Sequence, residues 1–332
     1  MRLALALSAL AWLAPTGIAQ DLPTKHELVQ HFGFEQRQLD APEGDIVYYT
    51  YDSGEAPPST LVMYLQGSDP SPQFSYRLRA GEVQRLSWLK GEHQDLPDGT
   101  RYVVVEKVGF EGLIDEDNIP TPQIYQEQNS LDHRVSRADA VIRYLVTQGT
   151  YERILVYGHS EGAPVAAKLG TVNPHITHLG FWAGNALPDF FDFILEARVA
   201  SHKGEITDAE AQEQIDAIIG QFTTHIAADT AGTSPEGYTN LRWWSYAEPP
   251  IHHLVQLDIP LYVQVATLDT SAPIESTYLI PLEFARLGKD NLSYNVCVGC
   301  DHGFIVEGPD GTRESRWRSI FADFLQWTEA AP

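Results

Sequence analysis

The chain has 332 residues, and with 43% hydrophobic and 20% charged residues its composition is that of an ordinary globular protein. Lys and Arg number 22 against 45 Asp and Glu, which gives a formal net charge of −23 at pH 7. Because so acidic a surface repels phosphate backbones and anionic lipids, we expect no nucleic-acid partner and no membrane partner.

The first residues have the pattern of a secretory signal peptide. Arg2 precedes a run of roughly a dozen apolar residues, and a break with Pro15 and Gly17 leads to small residues ending at Ala19. A membrane anchor is the alternative, but a spanning helix needs about 20 apolar residues and this run is shorter. We therefore predict a signal peptide at 1–19 and a periplasmic or secreted mature protein at 20–332.

Short runs of β-branched and aromatic residues alternate with helical patterns, which is typical of a sheet built through helical crossovers. The predicted strands are eight, at 34–39, 45–51, 61–65, 101–105, 153–157, 176–182, 260–266 and 292–296. The first two are expected to form an antiparallel pair. The fold class is therefore α/β.

Amphipathic stretches occupy the places of crossover helices at 136–147, 163–169, 274–287 and 313–328. The interval 185–253 interrupts this rhythm. Within it, Thr207 and Glu210 form a capping-box pattern, and apolar residues follow at helical spacing, namely Ile215, Ile218, Ile219 and Phe222. Because so long an interval in a compact domain favours a functional segment, we predict a helical lid at 185–253.

The cysteines are Cys297 and Cys300, in the string Cys-Val-Gly-Cys. An oxidising compartment favours a disulfide between them, and so tight a loop would add at most about 2 kcal/mol by chain entropy. The alternative is a thioredoxin-like redox pair, but that motif sits at a helix N-terminus, whereas this one follows a strand-like run. We therefore predict a structural disulfide. The chain has neither the ligand spacing of a metal site nor the glycine loops of phosphate or dinucleotide sites, so we expect no metal and no cofactor.

The strongest functional signal is the string Gly158-His159-Ser160-Glu161-Gly162, which lies between an apolar strand and a helix of small residues. A Gly-x-Ser-x-Gly string alone is weak, since a chain of this length contains one by chance roughly one time in ten. The context strengthens it, because an abrupt strand-to-helix turn exposes the serine hydroxyl and requires glycines where side chains would collide with backbone. We predict that Ser160 is a nucleophile.

With the strand order, this motif resembles the α/β-hydrolase superfamily over nearly all of the mature chain. The resemblance implies a mostly parallel eight-stranded sheet, an acid after the seventh strand and a histidine after the eighth. It assigns Asp269, in a loop closed by Pro273, as the orienting acid, and His302, in Cys300-Asp301-His302-Gly303, as the general base. The order Ser, Asp, His also agrees with this family and differs from the chymotrypsin and subtilisin orders.

The implied chemistry is nucleophilic catalysis. A serine hydroxyl needs an imidazole to accept its proton, and a carboxylate fixes the tautomer of that imidazole. The oxyanion formed on attack needs preorganised donors. The resemblance implies that one is the backbone N–H of Glu161. The other comes from the loop after the third strand, where Gln66 replaces the family's usual His, and we assign it to the N–H of Ser68.

Three neighbouring residues have competing interpretations. We expect the side chain of His159 to pack beneath the turn. Asp301 could replace Asp269 as the orienting acid, although adjacent residues such as Asp301 and His302 seldom direct their side chains at each other. The Glu161 carboxylate either approaches substrate or occupies the first turn of a helix because the dipole favours it there.

The substrate pocket is predicted from fewer signals. Gln66 and Trp182 are assigned to its lining. The aromatic residues of the predicted lid belong either to that pocket or to the core, namely Phe190, Phe191, Phe193, Trp243 and Trp244.

The sequence thus predicts a serine hydrolase that cleaves a carboxylic ester through an acyl-enzyme, with a small ester or a short peptide as its partner and with its oligomeric state open. A serine peptidase or aminopeptidase of the same fold, such as a prolyl-oligopeptidase or a proline iminopeptidase, is the alternative. An exopeptidase would need acidic lid groups aimed at the substrate amine. A non-catalytic binding protein is the third hypothesis, since fold does not fix function.

Overall fold

The structure is a computed structural model, and it describes residues 22–42, 44–234 and 237–331. The predicted signal peptide at 1–19 lies outside these residues. In chain order the strands are β1 (Glu35–Leu39), β2 (Ile46–Ser53), β3 (Thr60–Leu65), β4 (Phe74–Arg79), β5 (Glu82–Ser87), β6 (Thr100–Val105), β7 (Arg153–His159), β8 (His178–Trp182), β9 (Leu261–Ala266), β10 (Leu292–Cys297), β11 (Ile305–Glu307) and β12 (Arg313–Ser315).

The α-helices are α1 (Lys25–His31), α2 (Gln123–Gln128), α3 (Leu131–Gln148), α4 (Gly162–Val172), α5 (Asp189–His202), α6 (Asp208–Gln221), α7 (Asn240–Ser245), α8 (Ile251–Leu254), α9 (Ile274–Thr277), α10 (Leu279–Leu287) and α11 (Trp317–Ala330). Two 3₁₀ turns and a π-helical turn complete the described secondary structure, at Glu92–Asp95, Glu116–Asn118 and Phe222–Ile226.

One eight-stranded sheet has the order β1-β2-β6-β3-β7-β8-β9-β10. β2 runs antiparallel to both of its neighbours, and the pairs from β6 to β10 are parallel. Since parallel strands end at the same edge, the loops after β3, β7, β8, β9 and β10 meet there. In open α/β sheets this carboxyl edge is where ligands bind.

The predicted strands all occur in this sheet, with ends that differ by at most three residues. Two hairpins were not predicted, β4–β5 and β11–β12. The second corrects a helix boundary, because 313–315 form a strand and the last helix begins at Trp317. The amphipathic stretch at 274–287 is likewise divided into α9 and α10.

Helices cover both faces of the sheet, so its central strands are buried on both sides. α3, α4 and α10 contribute to one hydrophobic cluster, and α1 and α11 contribute to the other. The first is mainly aliphatic, whereas the second is rich in aromatic side chains. The result is a three-layer arrangement of helices, sheet and helices.

A helical segment, α5 to α8, connects β8 to β9. The capping box predicted at Thr207 and Glu210 is confirmed, since each side chain bonds the other's backbone N–H at the start of α6. α5 packs against α6. Within the portion of the chain that the structure describes, no helix has both the length and the hydropathy required to cross a bilayer.

The start of α4 lies against the end of β3 with almost no space between their backbones. A Cβ built on Gly162 would lie 2.0 Å from the carbonyl oxygen of Leu65, and one on Gly158 would lie 1.9 Å from the carbonyl oxygen of Gly162. Real atoms cannot approach so closely, so both glycines are required by the contact between this helix and the sheet.

We predict that Gly162→Ala lowers the free energy of unfolding by more than about 2 kcal/mol, because the added methyl group must displace backbone. Gly220, in α6, is the matched control, since a Cβ there meets no atom within 4 Å. Gly220→Ala should stabilise the protein by about 0.5–1 kcal/mol through helix propensity. Urea unfolding followed by circular dichroism measures both. Equal effects of the two substitutions would contradict the packing described.

Candidate active site

Ser160 occupies the sharp turn between β7 and α4. Its φ is 56°, in the left-handed region that a non-glycine residue rarely adopts. The turn is held by backbone hydrogen bonds, since Ser160 N donates to Trp182 O at 3.0 Å and Ala163 N donates to Ser160 O at 2.8 Å. Such strain at a strand-to-helix turn is typical of a nucleophile elbow.

Asp269 and His302 come together although they are 33 residues apart in the sequence. His302 Nδ1 lies 2.9 Å from Oδ1 and 2.8 Å from Oδ2 of Asp269. Because a carboxylate only accepts, Nδ1 carries the proton, and Nε2 has the free lone pair that a general base needs.

The Asp269 carboxylate is fixed and desolvated. Its side chain is 1% exposed, against 26% for His302. Oδ1 also accepts from the backbone N–H groups of Ser271 at 2.9 Å and Ala272 at 2.8 Å. The acid is therefore buried while the imidazole reaches solvent.

Ser160 and His302 line the same cavity, of about 370 Å³, together with Gly67, Ser68 and Ser271. Ser160 also lines a second cavity, of about 190 Å³, that extends towards α5. Ser160 thus lines both cavities, whereas His302 lines only the larger one.

The loop after β3 approaches the serine closely. A Cβ on Gly67 would lie 3.3 Å from Ser160 Cβ, a tight contact that would require the serine to shift slightly. Ser68 lines both cavities beside Ser160. The backbone N–H groups of Ser68 and Glu161 remain the predicted oxyanion donors.

Gln66 lines the cavity that Ser160 and His302 share, as its assignment to the pocket expects. The side chain is nevertheless 5% exposed, and Nε2 donates to Gln73 Oε1 at 2.8 Å and to Val105 O at 3.3 Å. The side-chain N–H groups of Gln66 are therefore used in hydrogen bonds within the protein.

The assignment of Trp182 to the pocket is wrong. Its side chain is fully buried, and its ring contacts aromatic rings of the core, those of Tyr157, Phe304, Trp317, Phe321 and Phe324. Successive side chains of a strand point to opposite faces, and this one points into the layer formed with α11.

His159 and Asp301 have structural contacts. His159 Nε2 donates to the backbone carbonyl of His302 at 2.8 Å, and burial lowers the pKa of His159 to about 3, so the ring is neutral. Asp301 Oδ1 accepts from the backbone N–H groups of Gly303 and Ile305 at 2.9 Å. Asp301 thus orders the loop of the base, and the carboxylate at the imidazole is that of Asp269.

The Glu161 carboxylate binds two arginines that the sequence did not single out. Arg134 Nη1 lies 2.7 Å from Oε1, and Arg242 Nε lies 2.8 Å from Oε2. Burial opposes ionisation, but Arg242 and Arg134 outweigh it and lower the pKa of Glu161 to about 2. Glu161 is therefore an ionised structural group.

Arg134 also donates to the backbone carbonyl of Gln66. It thereby joins the two loops that carry the predicted oxyanion donors. A signal for Arg134 was present in the sequence, since it lies at helical spacing with the buried residues Ala138 and Val141 of α3. Arg242 has no such signal, because it comes from α7, 81 residues away from its partner.

Aromatic residues of the segment between β8 and β9 enclose a separate cavity of about 450 Å³. Phe190 and Phe222 stack there with centroids 4.0 Å apart. Phe193 and Trp243 line both this cavity and the smaller one at Ser160. Of the aromatic residues considered for the substrate pocket, Phe193 and Trp243 therefore do line a cavity at Ser160.

Cys297 and Cys300 are joined by a disulfide. The carbonyls of these two cysteines accept from the N–H groups of Thr267 at 3.1 Å and Leu268 at 2.9 Å. The bridge thus lies between the loop of the acid and the loop of the base. Among the residues placed by the structure, no group of three or more His, Cys, Asp or Glu is arranged to hold a metal ion.

Comparison with known proteins identifies the fold of this chain. No protein-family model and no curated protein sequence matches the chain. An acylaminoacyl peptidase of Pyrococcus horikoshii superposes with a TM-score of 0.56 at 12% identity, over 94% of this chain and 42% of that protein. An esterase of Pyrococcus furiosus superposes with a TM-score of 0.53 at 14% identity, over 90% of this chain and 92% of that one. The protein has the α/β-hydrolase fold.

A puromycin-hydrolysing peptidase of Mycobacterium tuberculosis is a further structural neighbour, with a TM-score of 0.51 at 18% identity over 82% of this chain. This chain spans about two fifths of each peptidase, 37% of one and 42% of the other. At these identities the likeness concerns the α/β-hydrolase fold, which confirms the fold class and the eight-stranded sheet.

We predict that Arg134→Lys lowers kcat by about tenfold or more and changes KM little, because a single amine cannot hold both oxyanion loops as the guanidinium does. Arg143→Lys is the control, since Arg143 lies on the same helix but pairs with Asp139 at the surface. Steady-state kinetics with a 4-nitrophenyl ester measures both. An unchanged kcat in Arg134→Lys would show that the bonds of Arg134 to Glu161 and to the Gln66 carbonyl are not needed for activity.

We predict that breaking the disulfide lowers kcat several-fold while the free energy of unfolding falls by less than about 2 kcal/mol, because the closed loop is short. The Cys297→Ser/Cys300→Ser double variant and the reduced wild type should agree. Kinetics and urea unfolding are compared after thiol titration has shown the bond to be open. Full activity of the reduced protein would contradict a role for the bridge.

Proposed function

We propose that the protein is a serine hydrolase that cleaves a carboxylic ester through an acyl-enzyme, with Ser160, His302 and Asp269 as its triad. The observation that carries this is the bond of His302 Nδ1 to the buried Asp269 carboxylate, with His302 and Ser160 lining one cavity. The strained left-handed turn at Ser160 supports the role of nucleophile.

The reaction begins when His302 Nε2 accepts the hydroxyl proton of Ser160 and the serine oxygen attacks the substrate carbonyl. The oxyanion that forms is stabilised by the N–H groups of Glu161 and Ser68, each worth about 3 kcal/mol at such sites. Protonated His302 then gives its proton to the leaving alcohol, and the acyl-enzyme remains.

Deacylation repeats these steps with water as the nucleophile. His302 removes a proton from the water as the water oxygen bonds to the acyl carbon. When the tetrahedral intermediate collapses, the bond to the serine oxygen breaks and His302 returns the proton to that oxygen, which releases the acid and restores Ser160. In both halves the Asp269 carboxylate holds the imidazole in one tautomer and stabilises its charged form. Two backbone N–H groups fix that carboxylate, so little reorganisation is needed when the charge appears.

A serine peptidase is the second candidate, because acidic side chains line the smaller cavity at Ser160. The structural neighbours include two peptidases and an esterase, so the same fold serves both reactions. In either case we propose that the helical segment at 185–253, whose residues Asp192, Phe193 and Trp243 line the smaller cavity, acts as a lid. The disulfide supports the prediction of an exported protein, since such bonds persist in oxidising compartments.

We predict that Ser160→Ala abolishes turnover of short 4-nitrophenyl esters, with kcat reduced by about three orders of magnitude or more. Ser271→Ala is the matched control, because Ser271 lines the same cavity but supports Asp269 through its backbone. It should retain most of the wild-type kcat. Substantial turnover by Ser160→Ala would remove the proposal.

A fluorophosphonate probe and a substrate panel separate the remaining hypotheses. The wild type should be labelled at Ser160, whereas an unlabelled folded protein would favour a binding function. Comparing esters of graded chain length with aminoacyl amides then decides between an esterase and a peptidase.

A further inference from the structure

The smaller cavity at Ser160 is lined by a carboxyl group that has one unbonded oxygen. Asp192 lies in the first turn of α5 and lines this cavity together with Ser160. The residue is 5% exposed. Its Oδ1 atom is buried and makes no hydrogen bond. Buried polar atoms are nearly always bonded, so an unbonded carboxyl oxygen on a residue that lines a cavity requires an explanation.

The orientation of Asp192 is fixed by its other oxygen. Oδ2 accepts from the side-chain amide of Asn185, and Asn185 Oδ1 in turn accepts from the hydroxyl of Ser276 at 2.5 Å. The carboxyl group therefore cannot turn freely to find another donor. Its unbonded oxygen is held in place by a chain of side chains from three different elements.

The nearby cations bind other carboxylates. Arg134 and Arg242 hold Glu161, and Arg242 also lies 2.8 Å from Asp189. Across the ranges that the structure describes, no Lys, Arg or His forms an ion pair with Asp192. Two guanidinium groups thus balance two carboxylates, and Asp192 is the additional acid in the cavity.

We propose that this cavity binds a protonated primary amine of the substrate, with Asp192 as the carboxylate partner of the ammonium group. An ammonium ion supplies the positive charge that an ionised Asp192 needs as its partner, and three N–H donors for Oδ1. Phe193 and Trp243 line the same cavity and can contact the carbon skeleton of the ligand or the cation itself. That the amine belongs to the hydrolysed molecule rests on the proposed function.

Because Asp192 is buried, the binding of an amine beside it should release the proton of its carboxyl group. Burial raises the pKa of Asp192 to about 9. Neighbouring carboxylates act in the same direction, those of Asp189, Glu196 and Asp269, while the Asn185 amide opposes them. The carboxyl group of the empty cavity is therefore protonated at pH 7. When an ammonium ion binds, Asp192 ionises and its proton passes to the buffer.

The test is isothermal titration calorimetry of the wild-type protein with phenylalaninol, an amino alcohol that has no bond to hydrolyse. N-acetylphenylalaninol is the paired probe, because it keeps the aromatic body and loses the charge. We expect phenylalaninol to bind at least about tenfold more tightly than the acetylated compound. Titrations at pH 7 in phosphate and in Tris should differ in heat by the amount that proton release requires.

Two variants assign the effect to Asp192. Asp192→Asn keeps the shape and removes the ability to ionise, and it should weaken phenylalaninol binding by about tenfold or more. Glu196→Gln is the matched control, because Glu196 lies one turn further along α5 and lines other cavities. It should bind phenylalaninol within about threefold of the wild type.

Three results would each overturn the proposal: no binding of phenylalaninol by the wild type, equal binding of the acetylated compound, or unchanged affinity in Asp192→Asn. The two wild-type titrations decide the matter even if Asp192→Asn does not fold. Binding of phenylalaninol does not require turnover. A protein that binds the amine but hydrolyses no ester or amide would therefore refute the proposed function alone, and an active enzyme without amine binding would refute this inference alone.

Discussion

The site depends on one steric constraint, the near contact of backbone atoms where α4 meets β3 and β7. Glycine at 158 and 162 lets the helix start within the space that side chains would fill, with Leu65 of β3 directly beneath it. This forces the chain through a left-handed turn at Ser160 and exposes its hydroxyl at the sheet edge. The same closeness brings Gly67 against the serine. Ser160, the proposed nucleophile, and the predicted oxyanion loop are thus positioned by one packing contact.

Buried ion pairs connect the turn at Ser160 to helices α3 and α7. Glu161, next to the nucleophile, is bound by Arg134 from α3 and by Arg242 from α7. Burying such ions costs solvation free energy, so the network contributes little net stability, but removing one partner would leave an uncompensated charge. Its effect is geometric, because a side chain of the inserted helices is bonded to the residue after the nucleophile. The segment proposed as the lid is therefore coupled to the oxyanion donors.

Asp269 and His302, the proposed acid and base, are aligned by neighbouring strands. β9 and β10 are parallel and adjacent, so the loops that follow them leave the sheet side by side. Backbone bonds from Thr267 and Leu268 to the two cysteine carbonyls join these loops before Asp269 and His302 are reached. The backbone carbonyl of His302 is further held by His159, whose ring is kept neutral by burial. A charged ring at that position would repel the imidazolium that His302 would form in the proposed mechanism.

Local periodicity and glycine spacing are enough to predict the strands, most of the crossover helices, the capping box at Thr207 and the turn at Ser160. The resemblance to a family added Asp269 and His302, which the folded chain brings into contact. The direction of the Trp182 side chain could be read only from the folded chain, because β8 is buried on both faces and its residues do not alternate between apolar and polar. The tertiary structure also decided the partners of Arg242 and the isolation of Asp192. Those depend on residues that are distant in the chain, and the charges of such residues balance only in three dimensions.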